Sequence, residues 1–167
     1  GRIMPLSDMQ KPDEPSTEHR VTHHDGTTRT VYVTQREIAY PEGRLIISRT
    51  DLDGVLTHAN DAFVELSGYT REELIGQPHA ILRHPDMPKA AFKDLWDTVG
   101  AGKKWHGYVK NLRKDGAHYW VYATAVPNIR GGKTVGYTSV RRKPSRRKIE
   151  ELSAVYKEWL AAERSQA

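Results

Sequence analysis

The chain has 167 residues, a formal charge of +5 and no cysteine, and 37% of its residues are apolar. That length holds one domain of ordinary size with extensions, and the modest apolar share places the excess polarity at the ends. The lack of cysteine excludes a disulfide scaffold, a thiolate metal site and a cysteine nucleophile. No apolar run approaches the roughly 20 residues that cross a bilayer, and no signal-peptide core follows Gly1-Arg2-Ile3-Met4. The expectation is a soluble cytoplasmic module; the position of Met4 suggests residues appended ahead of a native start, in a fragment of something longer.

Residues 1–18 carry Pro5, Pro12 and Pro15 among polar side chains and read as a disordered tail. Residues 19–44 form an N-terminal cap. There Val21, the turn signal Asp25-Gly26 and the alternating Val31 and Val33 predict a short hairpin, too small to be stable without a surface to pack on. The compact domain spans 45–143. It opens with strands at 45–50 and 55–59 about the Asp53-Gly54 turn. Phe63, Val64 and Leu66 mark a helix ended by Gly68. Thr70 and Glu73 have capping-box spacing before a second short helix closed by Gly76. Pro88 sits where a first helical residue belongs, and Ala91, Phe92, Leu95, Trp96 and Val99 follow helical spacing up to Gly100. Strands at 105–114, 118–128 and 135–142 follow, joined through Asp115-Gly116 and Gly131-Gly132.

Hairpins at both ends impose antiparallel pairing, and the central helices are the available cover for one face of a five-stranded sheet. The fold class is therefore α+β. Residues 144–167 carry a separate amphipathic helix with Ile149, Leu152, Tyr156, Trp159 and Leu160 on one stripe. Fully burying each of these is worth roughly 1.5–3 kcal/mol, so the stripe must pack on the sheet, on a second copy or on parts absent from this chain.

Between the second and third helices lies Arg83-His84-Pro85-Asp86-Met87-Pro88. Each proline fixes its own φ and biases the residue before it toward extended geometry, so the segment is stiff and non-helical. A stiff loop crowded with a guanidinium, an imidazole and a carboxylate suits a ligand clamp; a solvated polar turn is the alternative.

Five further stretches, with this one, carry a resemblance. Asp51-Leu52-Asp53-Gly54 with Thr57-His58-Ala59-Asn60-Asp61-Ala62-Phe63, and Ser67-Gly68-Tyr69-Thr70-Arg71-Glu72-Glu73-Leu74-Ile75-Gly76, are similar to the opening of a PAS domain. The Arg83–Pro88 segment, Gly76-Gln77-Pro78-His79, Trp105-His106-Gly107-Tyr108-Val109-Lys110-Asn111 and Lys114-Asp115-Gly116-Ala117-His118-Tyr119-Trp120-Val121 closely resemble the PAS domains of bacterial aerotaxis receptors, over about 45–145. The resemblance implies a PAS fold that binds FAD non-covalently and reports its redox state. It implies partners in a HAMP or signalling domain of the same receptor and in the chemotaxis kinase machinery, a homodimer or higher oligomer, and anchoring of the full-length protein at the inner membrane. It places flavin-pocket roles on Asn60, Arg83, His84, Asp86, Trp105 and Asn111.

The residue types agree with those roles. Arg83 offers a planar fork for phosphate oxygens or a ring carbonyl. His84 can donate to a flavin edge or fix the loop. Asp86 fits better as a brace than as a ring contact, because a carboxylate repels a reduced, anionic flavin. Trp105 can stack on a ring or close its mouth, whereas Trp96 and Trp120 read as core. Asn60 and Asn111 match the donor–acceptor edge of a flavin, although Asn60 also suits a helix N-cap.

Other readings remain open. Haem would need His84 or His79 as ligand, in a loop too polar for an easy fit. A cofactor-free dimerisation module is another alternative. LOV-type adduct chemistry is closed without cysteine. No nucleophile elbow, phosphate loop or HExxH motif appears, which argues against an enzyme. The basic cluster Arg141-Arg142-Lys143 and Arg146-Arg147-Lys148 lacks interleaved aromatics, which argues against nucleic acid and toward anionic lipid or an acidic partner. Under the flavin reading, reduction changes hydrogen bonds at Asn111, Asn60 or His84. The strain then passes into strands 118–128 and 135–142, with the first hairpin and the last helix as the moving parts.

Overall fold

The structure, a computed structural model, describes residues 5–166. A first hairpin pairs β1 (Thr17–Thr22) with β2 (Thr28–Val33). The main sheet comprises β3 (Ile46–Thr50), β4 (Leu56–Ala59), β5 (Trp105–Leu112), β6 (His118–Arg130) and β7 (Lys133–Arg142). Its spatial order is β4-β3-β7-β6-β5, antiparallel throughout. Between β4 and β5 run α1 (Asp61–Ser67), α2 (Arg71–Leu74), a 3₁₀ turn at His79–Leu82 and α3 (Lys89–Gly100); α4 (Arg146–Ser165) follows β7. The expected α+β architecture is present, with the 3₁₀ turn as an element that four residues of pattern could not announce.

Local chemistry sets the helix ends. Asn60 caps α1 by accepting from the Phe63 amide, and Gly68 ends it in the left-handed region at φ 77°. The Thr70–Glu73 capping box forms in both directions. Pro88 is the N-cap of α3 rather than its first helical residue, so the helix starts one residue later than expected. It offers no side-chain cap there. The Glu163 carboxylate of α4 supplies one instead, accepting from the Lys89 amide at 2.9 Å and the Ala90 amide at 3.0 Å.

The N-terminal stretch differs from expectation. Residues 1–4 of the expected disordered tail lie outside the described residues, but the rest of that stretch is ordered: Leu6 and Met9 are buried, and β1 already begins at Thr17. Met9 donates its amide to Thr30, and the Asp8 carboxylate accepts from the Thr30 amide, so the segment runs along β2. Two apolar side chains that reach a surface outweigh the polar, proline-bearing composition that suggested disorder. The hairpin finds its own surface, packing Val21, Val31 and Val33 with Met9 on Leu112 of β5. The α4 stripe folds back on its own domain. Ile149 and Tyr156 are buried with Met87, Ala91 and Trp120, while Trp159 stays exposed. Among the described residues, no helix is long and apolar enough to cross a membrane.

Candidate functional site

Strand register builds the site. Side chains alternate across a sheet, so paired residues on neighbouring strands form rows on one face. One inner row runs Ser48–Ser139–Ala125–Trp105 across β3, β7, β6 and β5. The next runs Ile46–Arg141–Ala123–Gly107. Ser139, Ala125 and Ala123 keep much of these rows small, which leaves space between the sheet and the helices. Opposite stands α3, whose Phe92, Leu95, Trp96 and Val99 stripe faces these small residues and meets Tyr137 of β7 at Trp96. The gap is a cavity of about 470 Å³, within the usual range for a small-molecule site.

Arg83, Trp105 and Asn111 line this cavity; Asn60, His84 and Asp86 do not. Trp105 is buried, donates its indole N–H to Asp94 Oδ2 at 2.8 Å, and forms one wall. Asn111 is buried at the end of β5, where its backbone bridges to Arg83. Arg83 lies with its guanidinium 4.2 Å from the centre of the Phe92 ring and donates through Nη2 to the Met87 carbonyl at 3.2 Å. Its Nε is buried without a partner. Burial lowers the Arg83 pKa to about 10, which leaves it charged at neutral pH.

The other three expected residues serve the framework. The Asn60 amide binds backbone: its oxygen accepts from the Ile47 and Phe63 amides and its nitrogen donates to the Leu45 carbonyl. His84 has no exposed surface and sits beside His118, at 6.0 Å between ring centres. Its Nδ1 accepts from the Asp86 amide at 3.0 Å, which places the proton on Nε2. This contact and the Met87-to-His84 backbone hydrogen bond close the loop as a turn. Burial first, then the Lys110 charge, push the His84 pKa down to about 3. The Asp86 carboxylate braces the turn from outside, 2.8 Å from Lys110 Nζ rather than on loop amides.

Sequence reasoning missed several cavity residues. Arg141 was read as part of a basic surface cluster, yet it is buried on the inner face. Its Nη2 lies 2.6 Å from His79 Nε2, and Nη1 is buried without a partner. His79 is neutral, because burial and the Arg141 charge push its pKa down to about 3. Ser48 Oγ and His23 Nε2 are further unpartnered buried atoms on lining residues. Trp96, expected in the core, also lines the cavity and packs edge-on to Tyr137. The strand-parity rule could have found Arg141 and Ser48, had the pairing register been known. The N-terminal cap was missed as well. His23, His24 and Asp25 from the first hairpin, with Leu6, close the cavity mouth, and Arg83 helps hold the His23 pKa down.

The combination of flat aromatic walls and four buried polar atoms lacking partners, on Arg83, Arg141, Ser48 and His23, suits a planar ligand with an acceptor-rich edge. The proposed haem ligands suit iron poorly. His79 Nε2 faces Arg141, and His84 stands off the cavity wall.

The comparisons with known proteins bear on this geometry. Residues 56–141 match the model of the PAS fold. The aerotaxis receptor of Escherichia coli strain K12 is 52% identical over 126 residues, which cover 75% of this chain and 25% of that protein. Biofilm dispersion protein BdlA of Pseudomonas aeruginosa is 33% identical over 95 residues, covering 53% of this chain and 22% of its own length. The chain thus spans about a quarter of these curated relatives. A solved structure from a flavin-analogue study of light-oxygen-voltage domain mechanism superposes with a TM-score of 0.57 at 24% identity. It covers 74% of this chain and 87% of its own, and the likeness is one of fold.

Proposed function

Because the chain belongs to the PAS fold family and its sensor domain is closely related to that of the aerotaxis receptor, we propose that it binds FAD non-covalently in the cavity beneath α3 and reports the redox state of the flavin. The observation that carries this reading is the cavity wall itself: two charged guanidiniums and a serine hydroxyl keep buried atoms unpartnered beside aromatic walls. Each unpaired buried polar group costs about 1–3 kcal/mol. A bound ligand with acceptor oxygens would satisfy them.

Arg83, Trp105 and Asn111 are the expected contacts on which the reading now rests. Arg83, next to the cap residues at the mouth, is suited to the pyrophosphate. Trp105 supplies a flat apolar wall. Asn111 offers a donor and an acceptor at the end of β5. Asn60, His84 and Asp86 act at one remove, holding α1 and the Arg83 turn in place. Bound flavin would supply reversible electron transfer, and the protein's own residues would exclude water and hold the ring edge. A change in that edge would reach β6 and β7 through Arg141 and its row neighbours, and α3 through Trp105 and Asp94. From there α4, joined to α3 at Glu163, would carry it to a following signalling domain and the chemotaxis machinery.

An absorption spectrum of the purified protein tests the reading, with heat release and chromatography of any chromophore against FAD and FMN. Flavin bands and released FAD are the expected result. A protein that is colourless, and stays so after incubation with FAD, overturns it; a Soret band would select haem instead.

A further inference from the structure

We infer that Arg141, with Ser48 beside it, is the inner binding pole of the cavity, receiving the electron-rich edge of the ligand. This rests on the flavin reading above and assigns that edge to residues outside the Arg83 turn.

Arg141 pairs with Ile46 and Ala123, and Ser48 with Ser139, so the two side chains are diagonal neighbours on one face. Both are almost fully buried, at 3% and 1% exposure. Both line the cavity, and each keeps one polar atom, Nη1 and Oγ, without a partner. The guanidinium has a single side-chain partner, the neutral imidazole of His79, which takes the Nη2 side, and it lies 5.1 Å from the Phe63 ring centre. Among the described residues no carboxylate pairs with it. Burial lowers its pKa only to about 10, so the charge persists at neutral pH.

An uncompensated buried cation is expensive, and replacing such a charge by an apolar side chain of similar volume is often neutral or stabilising. The sheet therefore carries a destabilising group whose free N–H lies on the cavity wall. The hydroxyl beside it can donate or accept. This pair fits carbonyl or anionic oxygen, and it favours whichever form of the ligand carries more negative charge there. For a flavin that is the reduced ring, which gains two electrons and one proton to become an anion.

Two measurements on Arg141→Met and Ser48→Ala test this, beside wild type. Thermal unfolding of the flavin-free domain reads structural cost. Titration with FAD, followed by dithionite reduction against a reference dye, reads affinity and midpoint potential. The expected result for Arg141→Met is apo stability equal to or above wild type, with FAD affinity at least ten-fold weaker. Its potential should also be lower; a ten-fold loss of preference for the reduced form is about 30 mV for a two-electron couple. Ser48→Ala should shift affinity in the same direction by a smaller factor. Should Arg141→Met fail to fold, Arg141→Lys, which keeps the charge and loses the fork, replaces it and should weaken FAD at least three-fold. Wild-type affinity and potential in Ser48→Ala and in the folded Arg141 variant overturn the inference while leaving the flavin reading intact. A wild-type domain that takes up no FAD overturns both.

Discussion

The indole of Trp105 lies across the α-carbon of Gly107, so closely that a β-carbon on Gly107 would fall 2.4 Å from its ring atoms. The two residues sit on the same face of β5, two positions apart, and the missing side chain at 107 is what lets the indole lie flat. Asp94 holds the far side of the ring through its N–H.

Gly107→Ala should therefore act as a mutation of Trp105. Overpacking of this kind costs about 1–3 kcal/mol, and the ring must leave its position. The expected outcome is a changed near-ultraviolet circular dichroism spectrum and FAD affinity at least ten-fold weaker, about 1.4 kcal/mol. Far-ultraviolet dichroism should be retained. Trp105→Ala should lose flavin in the same way. Stoichiometric flavin in Trp105→Ala would remove the indole from the site.

Asn60 divides a framework role from a ligand role. Asn60→Ala removes the cap of α1 and leaves the Ile47 amide without its acceptor, a loss of about 1–2 kcal/mol by urea denaturation. Asn60→Asp keeps the acceptor and should lose less. Flavin bound per folded molecule should not change in either variant; a selective loss of flavin from a fully folded Asn60→Asp would make this residue a contact.

Arg29 anchors the cap that closes the cavity. It donates to the Ser7 carbonyl at 2.6 Å, the Ile81 carbonyl at 3.0 Å and the Tyr69 hydroxyl at 3.2 Å. Hydrogen bonds from a charged donor contribute about 1.5–3 kcal/mol each. Arg29→Ala should speed limited proteolysis within residues 5–33 and hasten flavin release, while α3 and the main sheet keep their amide-exchange protection. Unchanged proteolysis would show that Leu6, Met9 and the hairpin valines suffice to hold the cap.

Stability should fall on mild acidification. His79 and His84 have pKa values pushed down from 6.5 to about 3, by burial first and then by the charges of Arg141 and Lys110 respectively. The unfolded chain therefore binds protons below pH 6.5 that the folded chain refuses. Their contribution is fully present above pH 6.5 and declines as pH falls toward 3. Each histidine adds a slope of up to about 1.4 kcal/mol per pH unit in that window. His84→Gln should flatten the urea-derived stability profile between pH 6 and 4.5 by roughly that amount per unit. An unaltered profile would mean that His84 is protonated in the folded state.

The sequence alone determined which segments become strands and helices, because those signals are local. Asp53-Gly54, Asp115-Gly116 and Gly131-Gly132 mark turns by their backbone freedom, Thr70 and Glu73 form a cap across three residues, and α3 shows its period within twelve positions. It also pointed to Arg83, Trp105 and Asn111, which the fold brings to one cavity. What it could not decide was which side of the sheet a residue faces once strands distant in the chain pair. Register alone sends Arg141 from an apparent surface run of basic residues into the cavity floor, and sets Ser48 diagonal to it. Nor could sequence tell that Asn60 spends its hydrogen bonds on the backbone, that His84 stands off the cavity, or that Leu6 and His23 return to line it. Those outcomes depend on contacts between segments far apart in sequence, and only the assembled tertiary structure contains them.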